Sequence, residues 1–496
     1  MASSLPIAFK SQRVCAACRK GKKQCDKAIP RCSRCIRKSF CCDYTAPADN
    51  LSLFRPDIAQ INDIPLISTD SCLPTLTEFG WNNLLRIVCS PSKTDRKTSE
   101  LCILIRRILK ASDTSLADIE IKFRNTIYHW FPIIDPTTLI RQIEFPAHEA
   151  TNDTSAIILL CMYILTQKPC EHETHMASNS LYLVARRLFY LIQDLESESP
   201  VELLQIGILI TLYECSHAIW NAAYLSLANC IALSQVAGLH YADSLDTPGN
   251  TPAQACGWAV MLLDRLMSLL NSDNSRLSFI PYKGSQHNMH LPSWLQGPIA
   301  LQKARHNSPE FFKLYATAET SYHLEYAIQY TSLIRKGLDT SLSFEAIHSS
   351  TLQLTCKLLS MSQSQALYLC NTTAFTLSVL VSLCIVRYLR NPRGGQAELK
   401  TTMSLHSVSN MVLDMIHTTT EMTVDTQIED VSFIGLVTVL HAATHLIGVK
   451  GQHLDIEDMD EIESLLLRFS KRWTIGAQFL REFKKHKSTT WPKITG

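Results

Sequence analysis

The stretch "CAACRKGKKQCDKAIPRCSRCIRKSFCC", residues 15–42, decides how the chain begins. Seven cysteines fall within it, among nine Lys and Arg. Their order is Cys15-x2-Cys18-x6-Cys25-x6-Cys32-x2-Cys35, followed by the adjacent pair Cys41 and Cys42. A C-x-x-C turn brings two thiolates to one metal, and zinc takes four such ligands in a tetrahedron. No histidine precedes His129, so Cys/His schemes of the finger, RING or LIM kind lack a local nitrogen ligand, and sulfur must supply the coordination.

Seven cysteines cannot fill two separate four-cysteine sites. Six can serve two zinc ions if two thiolates bridge. The stretch is internally repeated: adding 17 to Cys15, Cys18 and Cys25 gives Cys32, Cys35 and Cys42. "CAACRK" in the first half answers "CSRCIRK" in the second. This register predicts a pseudo-twofold pair of short helix-plus-strap units around a binuclear cluster. It makes Cys42 the sixth ligand and leaves Cys41 spare. A thiol store of the metallothionein kind is the competing reading, and it gives no reason for the regular register or the interleaved proline and cations. A module bounded by residues 13–44 cannot bury a core, so metal binding is expected to supply its folding free energy.

Charge points the same module at a polyanion. Residues 1–44 carry eleven Lys and Arg against two Asp and Glu, while the rest of the chain carries 36 basic and 43 acidic residues. Six thiolates with two Zn2+ sum to −2, which leaves the metallated head at about +7, the footprint of a phosphate-backbone binder. Arg19, Lys20, Lys22 and Lys23 lie on or just after the first predicted helix, and Arg34, Arg37 and Lys38 on the second.

Residues 1–12 read as a flexible tail without the apolar run of a secretory signal. Residues 45–98, punctuated by Pro47, Pro56, Pro65 and Pro74, read as a mostly unstructured linker with one short helix near "EFGWNNLLRIV". A heptad search beyond it finds Leu101, Ile105 and Ile108 alone, too few for a coiled coil. Residues 99–496 then show apolar residues at three- and four-residue intervals, as in "SNSLYLVARRLFYLIQDL" and in the long run 201–240. Further helices are expected over roughly 307–335, 341–390, 396–418, 426–449 and 457–485, and Thr251-Pro252 reads as an N-cap followed by a first helical residue. The expected fold class is all-α: a zinc module, a linker and a large helical body, with helix pairs stacked in solenoid fashion as one arrangement. "AFTLSVLVSLCIV" (374–386) is too short a run to span a bilayer, so an intracellular chain with reduced thiols and no membrane partner is expected.

Weaker constellations remain. Cys170, His172 and His175 in "CEHETH", and His441 with His445 and His453, offer half-sites for a metal, against loop or core roles. Asp264-Arg265 reads as a local ion pair rather than an acid–base couple. "DIEDMDEIESLLLRF" (455–469) fits either an acidic activation segment or an ordinary helix with acids in its first turn. No G-x-S-x-G, P-loop or dinucleotide fingerprint occurs, and no catalytic residues are assigned: the chain does not read as an enzyme.

The cysteine register, Arg19, Asp26 and "PRCSRC" with Pro30 resemble the fungal zinc binuclear cluster transcription factors. "HWFPIIDPTTL" (129–139), "LYECSHAIWNAAYLSLANCIALSQVAGLH" (212–240) and "GWAVMLLDRLMSLLN" (257–271) resemble that family's middle homology region, which is regulatory. The resemblance implies two Zn2+, one held by Cys15, Cys18, Cys25 and Cys32, the other by Cys15, Cys32, Cys35 and Cys42. It also implies that the end of the first helix enters the major groove of double-stranded DNA at a G·C-rich triplet. Guanine N7 and O6 match a lysine donor there, and position makes Lys22 the base contact, with Lys20 and Lys23 on phosphates. Gly21 and Gln24 stand where the family usually has a cation, which leaves Lys23 as the alternative to Lys22 for the base contact. The function so implied is a nuclear regulator of RNA polymerase II genes, working with the transcription machinery, as a homodimer or a monomer. The body leans toward a pathway-specific regulator, such as of a secondary-metabolite gene cluster. A metabolite-sensing helical protein, localised to DNA by its zinc head, is the alternative.

Overall fold

Two helices of five residues each open the described chain, α1 (Ala16–Lys20) and α2 (Ser33–Arg37). The structure is a computed structural model that describes residues 14–28, 32–38, 67–68, 75–77, 80, 82–84, 100–144, 153–169, 175–193, 200–239, 251–270, 278–281, 291–295, 308–362, 366–390, 396–425, 428–449 and 454–490. The chain divides into two compact units, Met1–Ile64 and Pro65–Gly496. Helices as short as α1 and α2 do not hold in water by propensity alone, so something else must fix them.

The second unit begins inside the stretch expected to be linker. Strands β1 (Ile67–Ser68) and β2 (Thr75–Leu76) pair antiparallel, with Ile67 opposite Leu76. Ile67, Leu76 and Leu84 are buried in the core of the body, and Leu76 N donates to Ser180 Oγ at 2.8 Å. Part of the stretch expected to be a mostly unstructured linker thus packs on the body: these apolar residues have no period, but they have a surface to cover.

The body continues with α3 (Glu100–Ala111), α4 (Leu116–Phe123), a π-helical turn (Arg124–Tyr128), α5 (Pro136–Glu144), α6 (Asp153–Thr166), α7 (His175–Ser178), α8 (Ser180–Gln193), α9 (Pro200–Ser216) and α10 (Trp220–Val236). After these come α11 (Pro252–Leu270), α12 (Pro309–His323), α13 (Glu325–Arg335), α14 (Phe344–Ser362), α15 (Ala366–Arg390), α16 (Gln396–Asp425), α17 (Phe433–Ile447), α18 (Ile456–Ser470) and α19 (Thr474–Thr490). The all-α expectation holds. Thr251 caps α11 as its position predicted, its hydroxyl accepting from Gln254 N at 3.3 Å.

Two helices that are apolar on every side organise this body. α9, buried from Leu203 to Ser216, packs against α6, α8, α10 and α11. α15 packs against α12, α13, α14, α16 and α17, and the contact of α11 with α12 joins the two groups. Within α15, Leu369–Arg390 is long and apolar enough to cross a bilayer by length and composition, yet 94% of its apolar window is buried against its neighbours. Burial among helices, rather than the shortness of its apolar run, thus marks it as a core element. Its polar groups are satisfied inside: Thr376 Oγ1 donates to Thr372 O at 2.8 Å, and Ser378 Oγ meets His441 Nδ1 at 3.1 Å.

The packing is not a one-dimensional stack, in which each repeat would touch only its neighbours. Arg472, in the turn between α18 and α19, donates to Leu165 O and to Gln167 O (2.5 and 3.1 Å), and His217 Nδ1 meets Thr474 Oγ1 at 3.1 Å. The end of the chain therefore closes on α6 and α9. Leu101, Ile105 and Ile108 lie on α3 with their side chains fully buried in this same core, so the short heptad faces inward. α18 buries Met459, Ile462, Leu465, Leu466 and Phe469, and its acids are engaged: Lys487 Nζ reaches Glu463 at 2.9 Å, and His417 Nδ1 reaches Glu461 at 2.7 Å. The ordinary-helix reading of 455–469 describes what is seen.

Asp264-Arg265 proves larger than a local pair. Arg265 is wholly buried and binds Asp264 Oδ2 at 2.6 Å, Glu325 Oε2 at 2.9 Å and Ile280 O at 2.6 Å. Asp264 also accepts the backbone N–H groups of Phe279 and Ile280, at 2.9 and 3.1 Å. Burial pushes the Asp264 carboxyl up to about 6, against the pull of Arg265.

His441 and His445 pair through their Nε2 atoms at 2.9 Å, and with Ser378 they form a hydrogen-bonded core chain rather than half a metal site. His453, Cys170 and His172 lie outside the described residues. Burial holds His217 and His441 well below the usual histidine range. A histidine kept neutral in the fold but free to charge when unfolded contributes stability above its unfolded pKa, and that stability is lost as pH falls through it. Taking pH from 7 to 5 should therefore cost about 2 kcal/mol per such histidine. Denaturant unfolding of the full chain at both pH values, compared with His441→Gln, measures it: the variant should lose less on acidification.

A candidate metal centre and nucleic-acid interface

The first unit has sulfur where a domain would have an apolar core. Cys15, Cys18, Cys32 and Cys35 are fully buried together, and among the described residues Val14, Ala17 and Cys25 pack on them. Each C-x-x-C turn places its first cysteine at a helix N-cap and its second in the first turn, Cys15 with Cys18 on α1 and Cys32 with Cys35 on α2. The helix bounds themselves, Ala16–Lys20 and Ser33–Arg37, differ by the predicted offset of 17. Cys32 Sγ accepts from Cys35 N at 3.4 Å, a thiol in the place usually taken by a capping oxygen.

The sulfurs stand at zinc spacing. Ligands about 2.3 Å from a tetrahedral zinc lie about 3.8 Å from one another. Cys18–Cys32 and Cys15–Cys35 measure 3.6 Å, and Cys15–Cys32 and Cys15–Cys25 measure 3.8 Å. A further pair, Cys18–Cys35, stands at 4.0 Å. The implied ligand sets assign its two cysteines to different metals. Four buried thiols gathered at this spacing, with little apolar surface around them among the described residues, are difficult to justify except as ligands, so the residues fit the group. Burial pushes the Cys32 thiol up to about 12. At Cys25 burial also pushes upward, but hydrogen bonds from the backbone at Cys15 and Lys27 outweigh it and bring that thiol down to about 7. Metal must therefore displace protons to enter. Cys41 and Cys42 lie outside the described residues.

One clamp was not foreseen as such. The Asp26 carboxylate receives Ser33 N at 3.2 Å, the Ser33 hydroxyl and Ala28 N at 3.4 Å. The Ser33 hydroxyl, first among these, holds the Asp26 carboxyl below its usual range. The acid thus ties the strap after α1 to the first residue of α2, where an anion is favoured. An Asp directly after the third cysteine, with Ser directly after the fourth, was the available signal.

The cations divide into two sets. Lys20, Lys22, Lys23, Arg37 and Lys38 are exposed, while Arg19 and Arg34 are half-buried. α1 ends in a Schellman motif: Lys23 N bonds Cys18 O at 2.9 Å, and Lys22 N bonds Arg19 O at 3.0 Å. Its left-handed residue is Lys22 (φ 48°), not Gly21 (φ −80°). A non-glycine residue there costs about 1–2 kcal/mol, and it turns Lys22 away from the helix axis at the point where α1 stops.

Comparison with known proteins agrees with this geometry. Residues 13–51 match the fungal Zn(2)-Cys(6) binuclear cluster domain, which binds two zinc ions, and residues 121–292 match the fungal specific transcription factor domain. The chain is 31% identical over 131 residues to transcription factor BOA15 of Botryotinia fuckeliana (strain B05.10), an alignment covering 26% of this chain and 70% of that protein. No solved structure matches it. A duplicated C-x-x-C helix pair with zinc-spaced sulfurs at the head, followed by a helical region, places this chain in the fungal Zn(2)-Cys(6) transcription factor family, whose members bind DNA through the cluster domain.

Proposed function

We propose that the chain is a sequence-specific nuclear regulator of RNA polymerase II genes, with Cys15 and Cys32 as the bridging thiolates of its cluster. Cys18 and Cys25 complete one metal site, and Cys35 and Cys42 the other. The observation that carries this assignment is the gathering of Cys15, Cys18, Cys32 and Cys35, whose sulfurs all lie within 4.8 Å of one another, with each C-x-x-C pair on its own short helix. Lys22 reads a guanine in a G·C-rich triplet, and Arg19, Lys20, Lys23, Arg37 and Lys38 hold phosphates. Selection of sites from random DNA with the full-length zinc form gives triplet, spacing and dimer state together. Lys22→Ala should lower discrimination between the selected triplet and scrambled DNA by about tenfold, as for loss of one base contact. Equal loss on both sequences makes Lys22 a phosphate contact.

We read the body as the control element of a pathway-specific regulator, such as of a secondary-metabolite gene cluster. Biosynthetic enzymes encoded beside the gene support that reading, and their absence removes it. Metabolite sensing is a second reading, suggested by an open polar depression of about 470 Å³ lined by Arg124, Asn125, Tyr128, His129, Glu310 and Asp430. Its wall includes the π-helical turn, a local widening often found at functional sites. A rise in the unfolding temperature of the full chain on adding a pathway metabolite, lost in Arg124→Ala, tests it.

A further inference from the structure

Arg34 stands apart from the other cations of the head. It is half-buried on α2, and its Nη1 donates to Cys18 Sγ at 3.8 Å, across to the other half of the repeat. The repeat offset pairs Arg34 with Ala17, which has no donor to send the opposite way. Arg34 thus makes a contact to the opposite half that its repeat counterpart cannot return. Gly21 fits the same arrangement: a Cβ there would lie 3.8 Å from Arg34 Nη1 and 3.3 Å from Ala17 O. A lysine or arginine at position 21 would crowd a second cation against the guanidinium.

We propose that Arg34 is a positioning residue for the metal cluster and not a DNA contact. Its guanidinium holds the Cys18 sulfur in place through the N–H···S contact across the repeat, so that the site built on Cys18 and Cys25 keeps its metal longer than it would without Arg34. The physical basis is a charge-assisted N–H···S bond to a terminal ligand of a cluster with net charge −2, the kind of outer contact that raises metal affinity. The inference rests on Cys18 being a zinc ligand, as proposed above.

The test uses the full-length zinc protein and two readouts: the rate of zinc transfer to a chromogenic chelator, and the slope of log DNA affinity against log salt at saturating zinc. Arg34→Gln should release one of its two zinc ions about tenfold faster while the salt slope stays unchanged. Arg34→Lys, which keeps the charge, should recover part of the slower release. Arg37→Gln, on the exposed face of the same helix, should do the reverse: zinc release unchanged and the slope reduced by about 0.9. Unchanged zinc release in Arg34→Gln overturns the proposal, whatever the slope does. Cys18→Ser checks the underlying assignment separately. If that variant still binds two zinc ions with unchanged release, the ligand set itself is wrong, independently of Arg34.

Discussion

Cys32→Ser is expected to abolish specific DNA binding and to unfold residues 13–44, leaving the helical body folded. The cluster unit buries no hydrophobic side chain besides its four cysteines among the described residues. Its folding free energy is then the zinc-binding free energy, about 10–16 kcal/mol for structural zinc in small peptides. Cys32 is assigned as a bridge, so its loss opens both metal sites together. DNA affinity should fall to the non-specific level, at least about 10³-fold below that for the selected site. Zinc stoichiometry, circular dichroism of the isolated change and DNA titration measure the three parts. A strong chelator added to the unmodified chain should reproduce all of them. Unchanged DNA binding without metal would sink the idea. The same stoichiometry separates the adjacent pair outside the described residues: Cys41→Ser should keep two zinc ions per chain, and Cys42→Ser should not.

Arg265→Ala is expected to destabilise the body by about 3–5 kcal/mol, the cost of leaving buried carboxylates without their cation. Arg265 is the cation on which Asp264 and Glu325 converge, and its guanidinium is fully enclosed. The change strands two acids between α11 and α13. Denaturant midpoints at constant slope report it, and a loss under about 1 kcal/mol would show that water or rearrangement had taken the place of the guanidinium. Replacing Glu325 by Gln in the same chain should recover part of the loss, because one of the two stranded charges is then gone.

The network also marks where the sequence stopped being readable. Adjacent Asp264 and Arg265 suggested a pair, but nothing along the chain announced that Glu325, on another helix, would complete it. Helix content was legible because the 3.6-residue period of a buried face is written locally. Helix ends were less so. The run 201–240 breaks at Ala218, held at φ 56°, and 307–335 breaks at Leu324, where no glycine or proline gave notice. Likewise the left-handed turn after α1 falls on Lys22, although Gly21 stands beside it and is the residue type that favours such a conformation. The two C-x-x-C pairs were legible because metal geometry restricts their spacing, and the offset of 17 reappears in the helices they cap; the assignment of Cys42 over Cys41 rests on the register alone. What spacing could not convey was the asymmetry between the halves, which lies in side chains such as Arg34 reaching across the repeat.

The closure made by Arg472 has a meaning for genetics. Its guanidinium is buried, stacks 3.7 Å over the ring of Trp473 and fastens the last turn of the body to the carbonyl ends of α6. A stop codon placed shortly before Thr474 would delete α19 and whatever follows it, far from the cluster in the chain, and a reader of the gene would score the allele as mild. The fold says otherwise. Such an allele removes the helix that packs on α17 and α18, together with the partner of His217, and so should behave as a null. Late frameshifts in this gene are better grouped with early ones than with tail variants.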